Sequence, residues 1–184
     1  MHDTDKPIGH LAGTGLPFRP LAPGHQWALR LRAQAIEEAS AAWQAPLDLA
    51  PLASSSRDGR HALKLGPDEW LLIAQTADAA DGLAALARST PLSLVEISDR
   101  ELAWELSGDN AAQVLAAGCP LDLADASFPP GRATRTVYGH AEIVLWRPGA
   151  ERAWQVRALR SFASYLTRHL AHAGRQCESK RTHQ

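Results

Sequence analysis

Cysteine is scarce in this 184-residue chain, where Cys119 and Cys177 are the only two. A disulfide framework is therefore not expected, and a reducing compartment fits such usage best. Net charge is close to absent as well, with 19 Lys and Arg against 20 Asp and Glu and a formal charge of −1. That balance builds in no overall attraction to nucleic acid or an anionic membrane, so neither is expected as a partner. No apolar run approaches the roughly 18 residues that a membrane helix needs. The first twenty residues also lack the basic start and apolar stretch of a signal peptide. The expectation is a soluble, cytoplasmic protein. Lysine is rare too, three against 16 arginines. The skew suits planar, bidentate contacts at surfaces, and GC-rich coding produces it equally well.

The motifs of a self-sufficient active site are missing. "GHLAGTGLPF" (9–18) has glycines but neither follows a strand nor opens a helix, so it fails as a dinucleotide loop. There is no Walker lysine motif and no GxSxG. His169 and His172 lie three apart on a predicted helix without a third ligand at sensible spacing, and the dipole of the helix C-terminus accounts for them without a metal. Glu96, Asp99, Glu101 and Glu105 gather around a predicted turn, where solvation keeps carboxylates from acid–base work. Cys119 follows Gly118 and precedes Pro120, the punctuation of a helix end, where glycine supplies positive φ. Asp122 and Asp125 put negative charge where a nucleophilic thiolate needs positive, so Cys119 reads as a space-filling residue. No catalytic, cofactor-binding or metal-ligating residue is assigned.

What the chain does have is the composition of a folded domain, 45% hydrophobic and 21% charged. Residues 1–24 hold four prolines and four glycines and read as an extended arm, and 175–184 as a polar tail that does not pack. In "QWALRLRA", Trp27, Leu29 and Leu31 alternate with Ala28, Arg30 and Arg32, the period of a strand with one buried face. A helix follows in "QAIEEASAAW". After a Pro- and Ser-rich loop, "HALKL" and "WLLIA" form a hairpin through "GPDE", then comes a helix in "DAADGLAALAR" and a strand in "LSLVEI". That order is the split βαβ, ferredoxin-like unit.

A second round follows: the strand "LAWELS", a helix over "GDNAAQVLAAG" capped by Asp109, and the strands "ATRTV", "AEIVLWR" and "AWQVRA". The helix "SFASYLTRHLAHAG" closes it, with Phe162, Tyr165, Leu166, His169 and Leu170 on one face and Gly174 as stop. The expectation is an α+β fold of duplicated ferredoxin-like units with mainly antiparallel sheets. It forms one domain over 25–174, made of pseudo-repeats at about 25–98 and 99–174. Six tryptophans, mostly in predicted strands, suit a core and equally the centre of an interface.

Four blocks in order, "GPDEWLL" (66–72), "WELSGDNAAQVLAAGCPLDL" (104–123), "FPPGRATRTVYGHAEIVLWR" (128–147) and "RSFASYL" (160–166), resemble the gamma subunit of heterotetrameric sarcosine oxidase. The resemblance runs from about residue 27 to 174 and takes in "CPLDL", which marks membership without implying catalysis. One departure is "VEISDRE" (95–101), with Asp99 before Arg100 where the family more usually has histidine.

The resemblance implies a structural, non-catalytic chain in a complex with alpha, beta and delta subunits. That complex demethylates sarcosine oxidatively to glycine, reduces oxygen to hydrogen peroxide, and releases the methyl carbon as formaldehyde or passes it to tetrahydrofolate. It further implies FAD, FMN and NAD on alpha and beta, zinc on delta, and a fold similar to the folate-binding domain of aminomethyltransferases. A stand-alone folate-binding protein is the alternative, by analogy of fold alone. Arg135, Trp146 and Arg160, all within the matching blocks, are expected to serve subunit contacts or the packing of the motif itself.

Overall fold

The computed structural model describes residues 18–22, 24–149 and 153–181. Most of the Pro/Gly-rich arm, residues 1–17, lies outside the described residues. In chain order the elements are β1 (Phe18–Pro20), β2 (His25–Leu31), α1 (Ile36–Trp43), β3 (Ser54–Arg57), β4 (Arg60–Gly66), β5 (Glu69–Ala74), α2 (Asp81–Leu86) and β6 (Leu92–Glu96). They continue with β7 (Glu101–Ser107), α3 (Ala111–Ala116), β8 (Arg132–Tyr138), β9 (Ala141–Arg147), β10 (Ala153–Leu159) and α4 (Ala163–Arg181).

The strands form two five-stranded sheets of one design, β6-β2-β5-β4-β3 and β1-β7-β10-β9-β8, with every pairing antiparallel. In the first, β2, β4, β5 and β6 have the ferredoxin-like order, with β3 added at the edge beyond β4. In the second, β7, β9, β10 and β1 hold the equivalent places. The strand that closes the second sheet therefore comes from the N-terminal end of the described chain. Proline suits that edge place, since Pro20 has no N–H to offer a ladder.

Side-chain alternation builds the layers. Trp27, Leu29, Trp70 and Leu72 meet α1 and α2 on one face of their sheet. Leu106, Ile143, Leu145 and Val156 meet α3 and α4 on one face of the other. The remaining faces meet each other through Leu63, Leu71, Ile73, Ala133, Val144 and Trp146. The layers thus run helix, sheet, sheet, helix. This is why "WLLIA" and "AEIVLWR" are apolar almost without a break: β5 and β9 are covered on both sides.

Several local expectations are corrected. The Ser-rich stretch read as loop contains β3, turned into β4 by Asp58 and Gly59 at φ 49° and 75°, a two-residue Asp-Gly hairpin turn. Asn110, not Asp109, occupies the cap position of α3 and makes no side-chain cap bond. Gly174 does not stop the last helix, which runs on to Arg181. An interior glycine costs a helix about 1 kcal/mol, and here the buried stripe of Leu166, Leu170, Ala173 and Cys177 continues across it. Cys177 is therefore packed in the core, and His169, placed on the apolar face from sequence, is exposed.

Candidate functional site

The two sheets are tied by ions as well as by apolar contact. Arg135 on β8 donates from Nη2 to Glu69 Oε1 on β5 at 2.8 Å, and Arg30 on β2 donates to Oε2 at 3.0 Å. The bond from Arg135 is the main cause holding the Glu69 carboxyl below the ordinary carboxylate range, against the opposing effect of burial. A carboxyl depressed on folding contributes stability above its unfolded pKa, about 4.3, and loses it as pH falls through the folded value. Glu69→Gln is accordingly expected to flatten the acid limb of stability below about pH 4.5. Urea midpoints across pH read this directly, and an acid limb as steep as that of the unsubstituted chain would contradict it.

Glu101 borders this junction and also a cleft of about 550 Å³. The cleft opens between the segment joining β1 to β2 and the segment joining β6 to β7, so both crossings between the sheets line it. The second crossing is pinned by Gln26 N–H to Ser98 Oγ at 3.0 Å, Ile97 N–H to the Gln26 carbonyl at 2.8 Å and Arg160 N–H to the Arg100 carbonyl at 3.1 Å. Gln26, 3% exposed, and Arg157, 6% exposed, are its buried polar side chains. Burial pushes the Arg157 guanidinium down to about 10, opposed by Glu101, which leaves it a cation at neutral pH. Burial, and after it the Arg157 charge, also pushes the His61 imidazole below its ordinary value. The rim is exposed and internally paired: Glu96 accepts from Ser98 at 2.8 Å and meets His25 at 3.1 Å, and Arg160 Nε donates to the Asp99 carbonyl at 3.1 Å.

Neither Gln26 nor Arg157 was legible as a site residue in the sequence. Each occupies the polar phase of an alternating strand, which reads as a solvent face. Both strands in fact turn that phase toward the opposite sheet. The available signal was in their neighbours, because "WLLIA" and "AEIVLWR" pair with them and have no polar face.

The "CPLDL" block packs against the second sheet. Cys119 is buried, with its N–H bonded to the Leu115 carbonyl at 2.9 Å and its Sγ 3.9 Å from Thr136 Oγ1. The helix does end here, at Ala116, but Gly118 is not at positive φ, which corrects the conformational reason expected for the glycine. It is glycine because the Tyr138 ring lies against its Cα: an added Cβ would stand 2.8 to 3.0 Å from three ring carbons. Tyr138 donates to the Val114 carbonyl at 3.1 Å, and burial is the main cause pushing its phenol up to about 12.

The three residues singled out from sequence lie apart in role. Trp146 is 2% exposed between the sheets, and its Nε1 donates to Ser54 Oγ at 2.9 Å. Arg135 is the half-exposed intersheet tie, and Arg160 is an exposed residue at the cleft mouth. The acidic group disperses: Glu105 pairs with Arg19 at 2.8 Å, while Glu96, Asp99 and Glu101 border the cleft. His169 stacks on Tyr165 at 4.2 Å and His172 bonds Gln176 at 3.0 Å. Among the described residues no group of three or more His, Cys, Asp or Glu is placed to hold a metal ion, and no helix is long and apolar enough to cross a membrane.

Residues 30–176 match the family model described as "Sarcosine oxidase, gamma subunit family". The chain is 34% identical over 121 residues to a sarcosine oxidase subunit gamma of Corynebacterium sp. (strain P-1), covering 65% of this chain and 59% of that one. It is 36% identical over 104 residues to a subunit gamma of an Arthrobacter sp, covering 56% and 51%. It thus spans only half to three fifths of those relatives' length. Among solved structures it is similar to a chain of the heterotetrameric sarcosine oxidase from Corynebacterium sp. U-96, in complex with pyrrole 2-carboxylate. That likeness has a TM-score of 0.81 at 28% identity, over 88% of this chain and 84% of that one. The glycine cleavage system aminomethyltransferase T from Bartonella henselae shares the fold, with a TM-score of 0.62 at 16% identity over 84% of this chain and 45% of that one. Family model, relatives and fold agree, and the chain belongs to the sarcosine oxidase gamma subunit family.

Proposed function

We propose that this chain is the gamma subunit of a cytoplasmic heterotetrameric sarcosine oxidase and serves it as a structural, non-catalytic subunit. The observation that carries the reading is the likeness over 88% of the chain to a chain of such a heterotetramer. In the assembled enzyme, sarcosine, oxygen and water yield glycine, formaldehyde and hydrogen peroxide, and tetrahydrofolate captures the methyl carbon as methylene-tetrahydrofolate when it is present. FAD, FMN, NAD and zinc belong to the alpha, beta and delta partners. Arg160 and Arg135, both within reach of solvent, are the motif residues open to a partner, while Trp146 serves the motif's own packing. The shared strand order of the two sheets supports treating about 25–98 and 99–174 as pseudo-repeats.

Assays of the purified chain test the division of labour. Alone it is expected to release no peroxide from sarcosine, to carry no flavin absorbance and to show no saturable binding of tetrahydrofolate. Peroxide release by the isolated chain would contradict the non-catalytic role. Saturable tetrahydrofolate binding would favour a folate-binding protein acting on its own.

A further inference from the structure

His61 on β4 faces the seam between the two sheets, on the same side of its strand as Leu63. Its ring lies 5.1 Å from the Trp146 ring on β9, and its Nδ1 is 2.8 Å from Ser56 Oγ on β3. Trp146 donates to Ser54 Oγ, and Ser54 binds the Gly131 carbonyl, just ahead of β8, through its N–H at 2.8 Å and its hydroxyl at 2.9 Å. Ala133 N–H completes this clasp with the Leu52 carbonyl at 2.8 Å. The edge strands β3 and β8 are thereby joined, and His61 is the titratable side chain that touches the clasp.

The charge that reaches His61 has one sign. On β10, Arg157 stands opposite Val144, one pleat from Trp146 on the same seam face, and is 6% exposed. From β3 the facing group is the Ser56 hydroxyl, and from β5 it is Ile73. Arg57, Asp58 and Arg60 lie at the hairpin turn, with Arg60 over the Trp43 ring on the helix side of the sheet. On β9, Arg147 is bound to the Phe128 carbonyl and Asp125, and on β8, Arg135 is bound to Glu69. Glu101 on β7 acts on Arg157, and His61 itself has no carboxylate partner among the described residues. Burial, and after it Arg157, disfavours a charged imidazole here. The Trp146 ring, which attracts cations, works the other way.

We propose that the seam carries an acid-sensitive latch: neutral His61 keeps the clasp between β3 and β8 shut, and a proton on its ring, adding a second cation to the Arg157 side of the seam, loosens it. A histidine whose folded pKa lies below its unfolded value, about 6.5, contributes stability that is fully present above that pH. The contribution is lost as pH falls from there toward the folded value, because the unfolded chain binds the proton first. That window lies well above the one set by Glu69, so the two are read separately. The inference stands on this chain's own residues and does not depend on its place in a larger enzyme.

The test follows amide hydrogen exchange in the full chain by NMR at about pH 7.5 and about pH 5, on either side of the histidine range, corrected for the intrinsic pH dependence of exchange. The His61 ring is titrated in the same samples. Its midpoint is expected below about 6.5. Protection at the Ser54 and Ala133 amides is expected to fall several-fold on acidification, with a ceiling of about tenfold per pH unit for one proton. The amides of Leu29 and Leu72, central in the first sheet, should keep theirs. His61→Gln retains a neutral polar side chain that does not titrate, so protection at Ser54 and Ala133 should be the same at both pH values. In Arg157→Met the His61 midpoint should rise and the acid effect shrink. A His61 midpoint at or above about 6.5 would overturn the proposal. So would an equal loss of protection in His61→Gln, which would assign the effect to other groups. A uniform loss at every amide would equally overturn it, because acid would then act on the whole fold and not on this clasp.

Discussion

Trp146→Ala is expected to cost the chain about 3–5 kcal/mol, the range for removing a buried large aromatic side chain. Trp146 is the largest side chain in the apolar layer between the sheets, packed with Leu63, Leu71, Ile73, Ala133 and Val144. Its indole N–H is the donor to Ser54 Oγ on β3, and its ring lies 5.1 Å from that of His61 on β4. Truncation therefore opens a cavity at the seam and removes a tie across it. A chain of this size has about 5–15 kcal/mol of stability in all, so the loss is a large share of it. Urea unfolding reads the change as a fall in midpoint. Trp146→Phe keeps much of the volume and gives up the donor, and the smaller cost expected of it separates the two contributions. A fall of less than about 1 kcal/mol in the alanine variant would mean that the seam is not a packed core.

Gly118→Val is the second large effect, at about 3 kcal/mol, the upper end of the usual cost of overpacking. The Tyr138 ring has nowhere to retreat. Its hydroxyl is bonded to Val114, and the next residue, Gly139, donates its N–H to the Gly118 carbonyl at 2.8 Å. Moving the ring away from a new Cβ loses those bonds as well. Tyr138→Leu removes the obstructing ring, so the double variant should be less destabilised than the sum of the singles, with a coupling of about 0.5–3 kcal/mol. Strict additivity would show that the ring is not what requires glycine.

Gly118 lies beyond the reach of local sequence rules. "AAGCP" does end a helix, and punctuation rules recognise that much. They explain the glycine by backbone conformation, whereas the cause is a ring arriving from β8, twenty residues further along. The same limit applies at "AWQVRA" and "QWALRLRA". Alternation marks "QWALRLRA" as a strand with one buried face, and nothing local in either segment states that a second sheet covers the face that carries Gln26 or Arg157.

The helix–sheet order was legible because amphipathic spacing and turn residues are local. The closing of the second sheet by β1 was not, because three residues, Phe18–Pro20, carry no strand signal until β7 offers them an edge. Gly174 failed as a stop because tertiary burial of Cys177 and Ala173 outweighs a weak propensity. Family membership needed none of these details. It rested on the order of four blocks, which the family model then covered across 30–176.

A chain that works as one subunit of a sarcosine oxidase should be recovered from its host with its partners. The most direct test is recovery of the tagged chain from its native host grown on sarcosine, with subunit stoichiometry, flavin spectrum and sarcosine-dependent peroxide release measured on the eluate. The expected eluate is a yellow complex of this chain with three partner chains, releasing peroxide when sarcosine is added. A colourless, solitary chain, with the sarcosine-oxidising activity left in the unbound fraction, would contradict it.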